Sequence, residues 1–255
     1  MGQLRKPCQG MVNIIRFNWH FYVMGGVLII ALILAALFLV PASLRTLPTI
    51  VILLAVLNIL ASLVVSWYVY DYSDLYQFDW LDKLKLLKAM KIANFNAGFD
   101  ETSVLIKDKF AKSELNVFDF YDPLKHTEVS IKRARKAYPP YPNTIAIRTT
   151  DIPMDTGALD IAFGLLSVHE IRDAKERSDF FKEINRILQA DGKFVVVEHQ
   201  RDLANLLAFG MGAFHFFSPK EWLQTFRAAS FKITDSFKIT PFVTAYILEK
   251  NGNTP

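Results

Sequence analysis

The sequence predicts an α/β protein: a Rossmann-like doubly wound sheet of about seven strands with an antiparallel last pair, preceded by a transmembrane helical hairpin. Residues 21–40 and 49–70 carry no charged side chain, and about 20 helical residues suffice to cross a bilayer core. After residue 88, short apolar strands alternate with helices, which is typical of a mainly parallel sheet covered on both faces. Only Thr240 and Pro241 separate the last two strands, which favours an antiparallel pair.

The chain divides by composition into five segments. We expect a cytoplasmic tail at 1–18, the hairpin at 19–70, an amphipathic linking helix at 71–87, the α/β domain at 88–250 and a tail at 251–255. Prolines bound the short link between the spans, so the second helix must return antiparallel to the first. A cleaved signal peptide is the alternative for the first span, although the apolar run exceeds the usual length of about 7 to 15 residues.

Positive charge predicts the orientation of the hairpin. Three basic residues precede the first span and one lies in the link: Arg5, Lys6, Arg16 and Arg45. More lysines follow the second span, and cytoplasmic flanks carry the excess of Lys and Arg. Both ends are therefore expected in the cytoplasm, most simply at a bacterial inner membrane. Small residues in the spans suit close packing, within the hairpin or between two copies in a homodimer.

Composition argues against several other classes. Cys8 is the single cysteine of the sequence, so neither an internal disulfide framework nor a cysteine metal knuckle can form. A net charge of +4, without a basic stripe interleaved with aromatics, indicates no nucleic-acid partner.

Periodicity and breaker residues predict the elements that follow the hairpin. Strands are expected at 89–95, 115–120, 144–148, 159–165, 193–198, 231–239 and 242–249. Helices are expected at 101–111, 128–137, 174–189 and 219–229. Ligands of such sheets bind beyond the carboxyl ends of the strands where the strand order reverses. The loops after strands one, two, four and five are therefore the candidate site.

Polar residues concentrate in these loops. After the first strand, small and polar residues alternate: Asn94, Asn96, Gly98 and Asp100. Asp119 ends the second strand at about the distance where an acidic side chain reaches a ribose hydroxyl. Further polar candidates follow strands three, four and five: Asp151, His169, Glu170, Glu198 and His199.

The order and spacing of these segments resemble class I S-adenosylmethionine-dependent methyltransferases of the type 11-like branch, which includes quinone and sterol methyltransferases. The resemblance covers about residues 90–249. Its most specific element is the stretch 185–192, which is similar to the family's R-x-L-x-x-x-G run before strand five. The first loop is degenerate, since only Gly98 matches the family's three alternating glycines.

The resemblance implies S-adenosyl-L-methionine as the cofactor. It implies cofactor contacts from five residues: Asn94, Asn96, Gly98, Asp119 and Asp151. Of these, Asp119 would contact the ribose and Asp151 would lie near the adenine. His169 and Glu170 would face the sulfonium and the substrate.

Four residues are candidates for catalysis: His199 as a general base, Glu170 as its orienter, and His169 and Glu198 beside them. An ordinary imidazole pKa of about 6.5 suits proton removal near neutral pH. Two alternatives stay open: Asp119 as a solvated strand end, and His169 with Glu170 as caps of the next helix. The spacing of the histidines and glutamates matches no familiar ligand pattern, so no metal is expected.

The apolar run at 203–217 is too short for a third span and is interrupted by Gly210 and Gly212. It is either an ordinary core helix or a lid that dips into the membrane and admits a lipid-like substrate. We therefore predict a membrane-anchored methyltransferase for a hydrophobic or lipid-like acceptor. The alternative is a catalytically inactive methyltransferase-like module for membrane-bound binding or assembly. A nicotinamide enzyme is disfavoured, because the first loop lacks GxGxxG.

Overall fold

The computed structural model describes residues 6–84, 86 and 90–252. Its first two helices are long, apolar and antiparallel: α1 at Gln9–Phe38 and α2 at Thr46–Trp67, joined by a short 3-10 turn at Ala42–Leu44. Both are long and apolar enough to cross a membrane, and only 6% of the residues in the most apolar 18-residue stretch of each helix are buried. A helix from the core of a soluble protein would bury that face against other elements.

The helix α1 begins earlier than expected. Its first ten residues were predicted to belong to a tail at 1–18, whereas the helix starts at Gln9 and the described part of the tail is mostly helical. The Asp71 carboxylate accepts hydrogen bonds from the backbone N–H groups of Gly10 and Met11, at 2.7 and 2.8 Å. This contact satisfies amides that have no partner inside the helix and places negative charge at its positive end.

The linking segment also differs from the prediction. The amphipathic helix expected at 71–87 is replaced by a π-helical turn at Tyr68–Tyr72 and two 3-10 helices, Asp74–Tyr76 and Asp79–Leu84; residues 85 and 87 lie outside the described chain. Phe78 has φ +60°, which a continuous α-helix cannot accommodate. Leu75, Phe78, Trp80 and Leu81 are all buried, whereas the polar residues Asp74, Gln77 and Asp82 are exposed, so the segment is amphipathic without being one continuous helix.

The sheet has seven strands in the order β3-β2-β1-β4-β5-β7-β6. The strands are β1 Lys91–Asn96, β2 Glu114–Asp119, β3 Ile145–Ala146, β4 Leu159–Leu165, β5 Leu188–His199, β6 Phe231–Thr240 and β7 Val243–Lys250. Strands β1 to β5 are parallel, and β7 pairs antiparallel with both β5 and β6. The predicted seven-stranded sheet with its antiparallel last pair is confirmed. Predicted β3 is shorter than expected, and β5 begins where the preceding helix was expected to end.

Helices cover both faces of the sheet. They are α3 Ser103–Lys109, α4 Val129–Ala137, α5 Ala174–Ile187, α6 Leu203–Phe209 and α7 Pro219–Ala228. One core packs Phe95, Phe118 and Phe194 against α5 and α7. The other core packs Ile92 and Phe163 against α3 and the linking segment. Phe78 and Trp80 of the linking segment belong to this second core. A fully buried Phe contributes about 1.5–3 kcal/mol, so these side chains hold the linking segment, and with it the base of the two long helices, against the sheet.

Candidate functional site

A cavity of about 200 Å³ lies at the carboxyl ends of β1, β4 and β5. The strand order reverses between β1 and β4, which is the position where open α/β sheets bind ligands. Asn96, His169 and His199 contribute to its walls. The first turns of α1 and the π-helical turn after α2 complete the lining, through Asn13 and Tyr70 among others. The cavity is therefore bounded by the sheet on one side and by the base of the helix pair on the other.

The start of α1 is held over the sheet by polar contacts. Asn13 is buried; it donates to Glu101 at 3.3 Å and accepts from the Tyr138 hydroxyl at 2.9 Å. The Phe17 ring packs edge-on against Tyr138 and Phe99, with ring centroids 6.2 and 5.6 Å apart. The sequence alone did not indicate this roof, because residues 9–18 are mixed in polarity.

The loop after β1 is built from mutually bonded polar side chains. The Asn94 amide donates to the hydroxyls of Thr102 and Ser103 at 2.9 and 2.8 Å. Asp100 accepts from the backbone N–H groups of the same two residues, both at 2.9 Å. Gly98 has φ +87°, a conformation that favours glycine. Of the two residues that stand where the resembled family has glycine, Asp100 closes the start of α3 and Asn96 accepts from the Gly98 N–H at 3.0 Å.

Three buried polar atoms of this loop lack a hydrogen-bond partner among the described residues: Asn94 Oδ1, Asn96 Nδ2 and Asp100 Oδ2. A buried polar atom without a partner costs about 1–3 kcal/mol. Of these three residues, Asn96 lines the cavity, so its Nδ2 is the donor that a polar ligand in the cavity would meet.

Asp119, at the end of β2, already has a charged partner. Its carboxylate accepts from the Arg135 guanidinium of α4 at 2.5 Å. The same guanidinium lies 4.4 Å from the centre of the Tyr121 ring. A Cβ placed on Gly98 would lie 2.3 Å from Arg135 Nη1. Arg135 thus fills the space between Gly98, Asp119 and Tyr121. Sequence reasoning missed this residue, because arginine on a charged helix usually faces solvent.

The remaining predicted cofactor residue lies elsewhere. Asp151 is exposed and pairs through its backbone with Arg148 in a turn after β3. It does not contribute to the lining of the cavity. The structure thus brings Asn94, Asn96, Gly98 and Asp119 together and leaves Asp151 apart.

The polar atoms and the volume of the site both bear on whether S-adenosylmethionine fits. The unpartnered atoms after β1 and the carboxylate of Asp119 suit its polar ends. The cavity, however, is smaller than the roughly 300–1,000 Å³ of a typical small-molecule site, and Arg135 occupies the place beside Asp119. The residues therefore fit the cofactor on one condition, that the Arg135 side chain turns away.

The polar residues after β4 and β5 form one network. His169 Nδ1 lies 2.7 Å from the buried Glu198 carboxylate, and His169 Nε2 lies 3.3 Å from Glu170. His215 lies 3.3 Å from Glu128 and 3.9 Å from Glu170. The structure therefore places predicted His169, Glu170 and Glu198 in contact. It adds His215 and Glu128, which no motif in the sequence singled out.

Charge within this network sets its protonation. Burial acts to lower the pKa of His169, but Glu198 and Glu170 outweigh it and raise that pKa to about 10. Burial acts to raise the pKa of Glu170, but the hydrogen bonds with His169 and His215 hold it well below its usual range. His169 is therefore an imidazolium at neutral pH, paired with Glu198 and Glu170, and cannot act as a base.

His199 has the opposite character. Burial lowers the pKa of His199 to about 4. The Asn205 amide nitrogen donates to Asp202 and to a backbone carbonyl, so its Oδ1 accepts from His199 Nδ1 at 3.0 Å. His199 Nε2 then accepts from the Tyr70 hydroxyl at 2.8 Å. The imidazole is neutral, as a base must be, but its basicity is weaker than the sequence led us to expect.

The apolar run at 203–217 forms α6 and a 3-10 helix at Gly210–His215. Its inner side packs Phe209 and Phe216 against the His199 ring, with Phe216 stacked at 4.7 Å. Its outer side exposes Leu203, Leu207 and Met211 by 71%, 70% and 82%. This exposure is not that of an ordinary core helix.

Comparisons with known proteins agree with the fold. The family model described as "Methyltransferase domain" matches residues 124–196. No curated protein sequence matches the chain. A solved structure titled as a SAM-dependent methyltransferase from Methanosarcina mazei has a TM-score of 0.51 and 15% identity; the match covers 67% of this chain and 96% of that one. A Haloferax volcanii protein solved with the Trm112 methyltransferase activator has a TM-score of 0.52 and 11% identity, with coverage of 72% and 91%.

At these identities the likeness shows the fold, which is the Rossmann-like fold of S-adenosylmethionine-dependent methyltransferases. The matched residues contain α4, β3, β4, α5 and most of β5. The comparisons support S-adenosylmethionine as the cofactor that belongs to this fold.

Proposed function

We propose that this chain is a membrane-anchored S-adenosylmethionine-dependent methyltransferase that acts on a hydrophobic or lipid-like acceptor. The observation that carries the proposal is the position of the cavity. It lies at the ligand-binding edge of a methyltransferase fold, and its remaining lining comes from the base of two helices long enough to span a bilayer. An acceptor that enters along those helices reaches the cavity without crossing water.

The outer surface beside the cavity supports a hydrophobic acceptor. Helix α6 packs on α2 near Asn58, whose amide donates to the Leu207 carbonyl at 3.5 Å. Asn58 lies about 14 Å along α2 from Trp67, at 1.5 Å of rise per residue. The exposed stripe of Leu203, Leu207 and Met211 therefore sits at the depth of the bilayer, where its apolar side chains are stabilised by lipid.

The distribution of basic residues supports the orientation of the hairpin in the membrane. The link between the two helices holds Arg45, whose guanidinium donates to the Val40 and Leu37 carbonyls, and basic residues are more numerous at the other end of the hairpin. By the positive-inside rule the α/β domain lies on the cytoplasmic side, as at a bacterial inner membrane.

The cofactor would be held by Asn94, Asn96 and Gly98 after β1 and by Asp119 after β2. When bound, it supplies a methyl group already activated by the sulfonium, so catalysis needs mainly orientation and exclusion of water. Phe17 and Phe99 exclude water over the β1 loop. His199 and Tyr70 can take up a proton from an acceptor hydroxyl or amine through their shared hydrogen bond. His169, paired with Glu198 and Glu170, keeps a fixed orientation in the same wall.

The proposal is tested by methyl transfer in a membrane. The full-length chain in nanodiscs of bacterial lipid extract is incubated with S-adenosylmethionine labelled in the methyl group, and the label in the organic phase is counted. We expect transfer that Asp119→Asn reduces at least about tenfold, because the ribose partner is lost. Lys136→Ala, an exposed residue of α4, is the matched control. Equal background counts in all three proteins would reject the enzyme.

A second function is favoured by one observation. The pairing of Arg135 with Asp119 and the two lost glycines suit a domain that no longer binds cofactor and acts as a membrane-bound binding or assembly module. In that case neither the native chain nor a variant without Arg135 binds S-adenosylmethionine.

A further inference from the structure

Two imidazoles converge on one carboxylate beside the cavity. His169 Nε2 lies 3.3 Å from Glu170 Oε1, and His215 Nε2 lies 3.9 Å from the same oxygen. One donor atom from each of the three residues lies within 4.8 Å of the other two. Ligands of a tetrahedral Zn²⁺ at bond lengths of about 2.0–2.2 Å lie about 3.4 Å apart. The spacing is thus already close to that of a first coordination sphere.

The other nitrogen of each imidazole is held by a second carboxylate. Glu198 lies 2.7 Å from His169 Nδ1, and Glu128 lies 3.3 Å from His215 Nδ1. A carboxylate behind a ligating histidine fixes the ring and leaves its Nε2 aimed at the metal. Both histidines of this cluster have that support, and the two rings stand at 87° to each other.

The cluster is assembled from separate parts of the fold. His169 and Glu170 follow β4 and His215 ends the 3-10 helix after α6, whereas Glu198 lies at the end of β5. Glu128 precedes α4. Metal binding would release the proton from each ligating imidazole nitrogen. Three carboxylates then face two neutral imidazoles, and a divalent cation would offset their negative charge. Two nitrogen donors favour a transition metal over Mg²⁺ or Ca²⁺, which prefer oxygen ligands.

We propose that His169, Glu170 and His215 bind a divalent transition-metal ion of the zinc class, with Glu198 and Glu128 as positioning residues. Three protein ligands leave a fourth position for water or for an oxygen of a bound molecule. His169 also lines the cavity, so the ion lies beside the proposed acceptor site. The site does not depend on the proposed methyl transfer, since it can bind metal whether or not the cofactor site works.

The test is metal binding to the full-length chain in detergent after removal of bound ions with EDTA. Zn²⁺ is titrated against a chromophoric chelator, and Co²⁺ is added separately for its visible absorption. We expect one ion per chain with a Kd of about 1 μM or tighter, and Co²⁺ bands of a four- or five-coordinate site. His169→Gln and His215→Gln should each weaken binding at least about 100-fold.

Glu128→Gln keeps all three ligands and alters a half-exposed residue, so it guards against loss of folding in the other variants. It should weaken binding about 10- to 100-fold through the His215 ring. His126→Gln, a buried histidine that bonds to the Asp122 backbone, is the control and should bind as the native chain does. A stoichiometry well below one ion per chain would overturn the proposal and show a hydrogen-bonded network without an ion. Equal affinity in the native, His169→Gln and His215→Gln proteins would also overturn it.

Discussion

Removing Arg135 should strengthen cofactor binding. The Arg135 guanidinium bonds to Asp119, lies over Tyr121 and fills the space beside Gly98. Any ligand that uses the Asp119 carboxylate must first displace it. Arg135→Ala removes the competitor and leaves every residue of the proposed cofactor site in place.

The magnitude follows from the exposure of the pair. The Arg135 side chain is 39% exposed and that of Asp119 is 12% exposed. An exposed ion pair contributes about 0.2–1 kcal/mol, and a hydrogen bond to a charged group about 1.5–3 kcal/mol. Discounted for solvent screening, the contact should favour the closed site by about 1–2 kcal/mol. A free-energy difference of this size leaves only a minor share of the molecules with Arg135 turned away from Asp119. The native chain should therefore bind the cofactor about 5- to 30-fold more weakly than a variant without the arginine.

The assay is calorimetric titration of S-adenosylhomocysteine into the full-length protein in detergent. Lys136→Ala, one residue along α4 and exposed, controls for the loss of a positive charge near the site. We expect Arg135→Ala to lower the Kd about 5- to 30-fold and Lys136→Ala to leave it within about twofold. A higher Kd in Arg135→Ala would show that the arginine contacts the cofactor, and the displacement argument would be wrong.

Three further predictions concern stability and access. Asp71→Ala should lower the melting temperature in detergent by about 2–8 °C, since about 1–2 kcal/mol of capping at the start of α1 is lost; an unchanged melting curve would contradict this. His199 has a folded pKa of about 4, below its unfolded value of about 6.5, so the unfolded chain binds more protons between these values and stability falls as pH drops through that window. Between pH 7 and pH 4 the native chain should therefore lose about 3 kcal/mol more than His199→Gln, measured by denaturant unfolding at each pH, and parallel losses would refute the buried neutral ring. Leu207→Gln combined with Met211→Gln should slow transfer to acceptors in nanodiscs several-fold while S-adenosylhomocysteine binding stays the same; equal slowing of transfer to a water-soluble acceptor would argue against a membrane-facing entrance.

The sheet was predictable because its strands carry strong local signals. Buried parallel strands such as β4 read as short apolar runs, and the pair β6 and β7 follows from the tight turn at Thr240 and Pro241. The two long helices follow from uncharged runs. These features depend on neighbours in sequence, which is why periodicity suffices to find them.

The linking segment and the roof of the cavity were not predictable in the same way. Leu75, Phe78 and Leu81 have helical spacing, yet the backbone turns at Phe78 so that the side chains fill the sheet face. The start of α1 binds Asp71, about sixty residues away. Tertiary packing decided both, and it overrides local propensity.

The candidate site was found only in part for the same reason. Asp119 and His199 end their strands, so the topology places them at one edge. Arg135 and His215 come from helices whose rotation against the sheet no sequence pattern sets. Protonation was also beyond the sequence, since the neutral state of His199 and the charged state of His169 follow from burial and from partners across the fold.

The most direct test of the central claim is equilibrium binding of S-adenosylmethionine to the full-length chain in nanodiscs. We expect one bound cofactor per chain, tighter binding in Arg135→Ala, and loss of binding in Asp119→Ala. A native chain and an Arg135→Ala variant that are both folded and both bind no S-adenosylmethionine would contradict it, and would leave the membrane-bound binding module as the function of this fold.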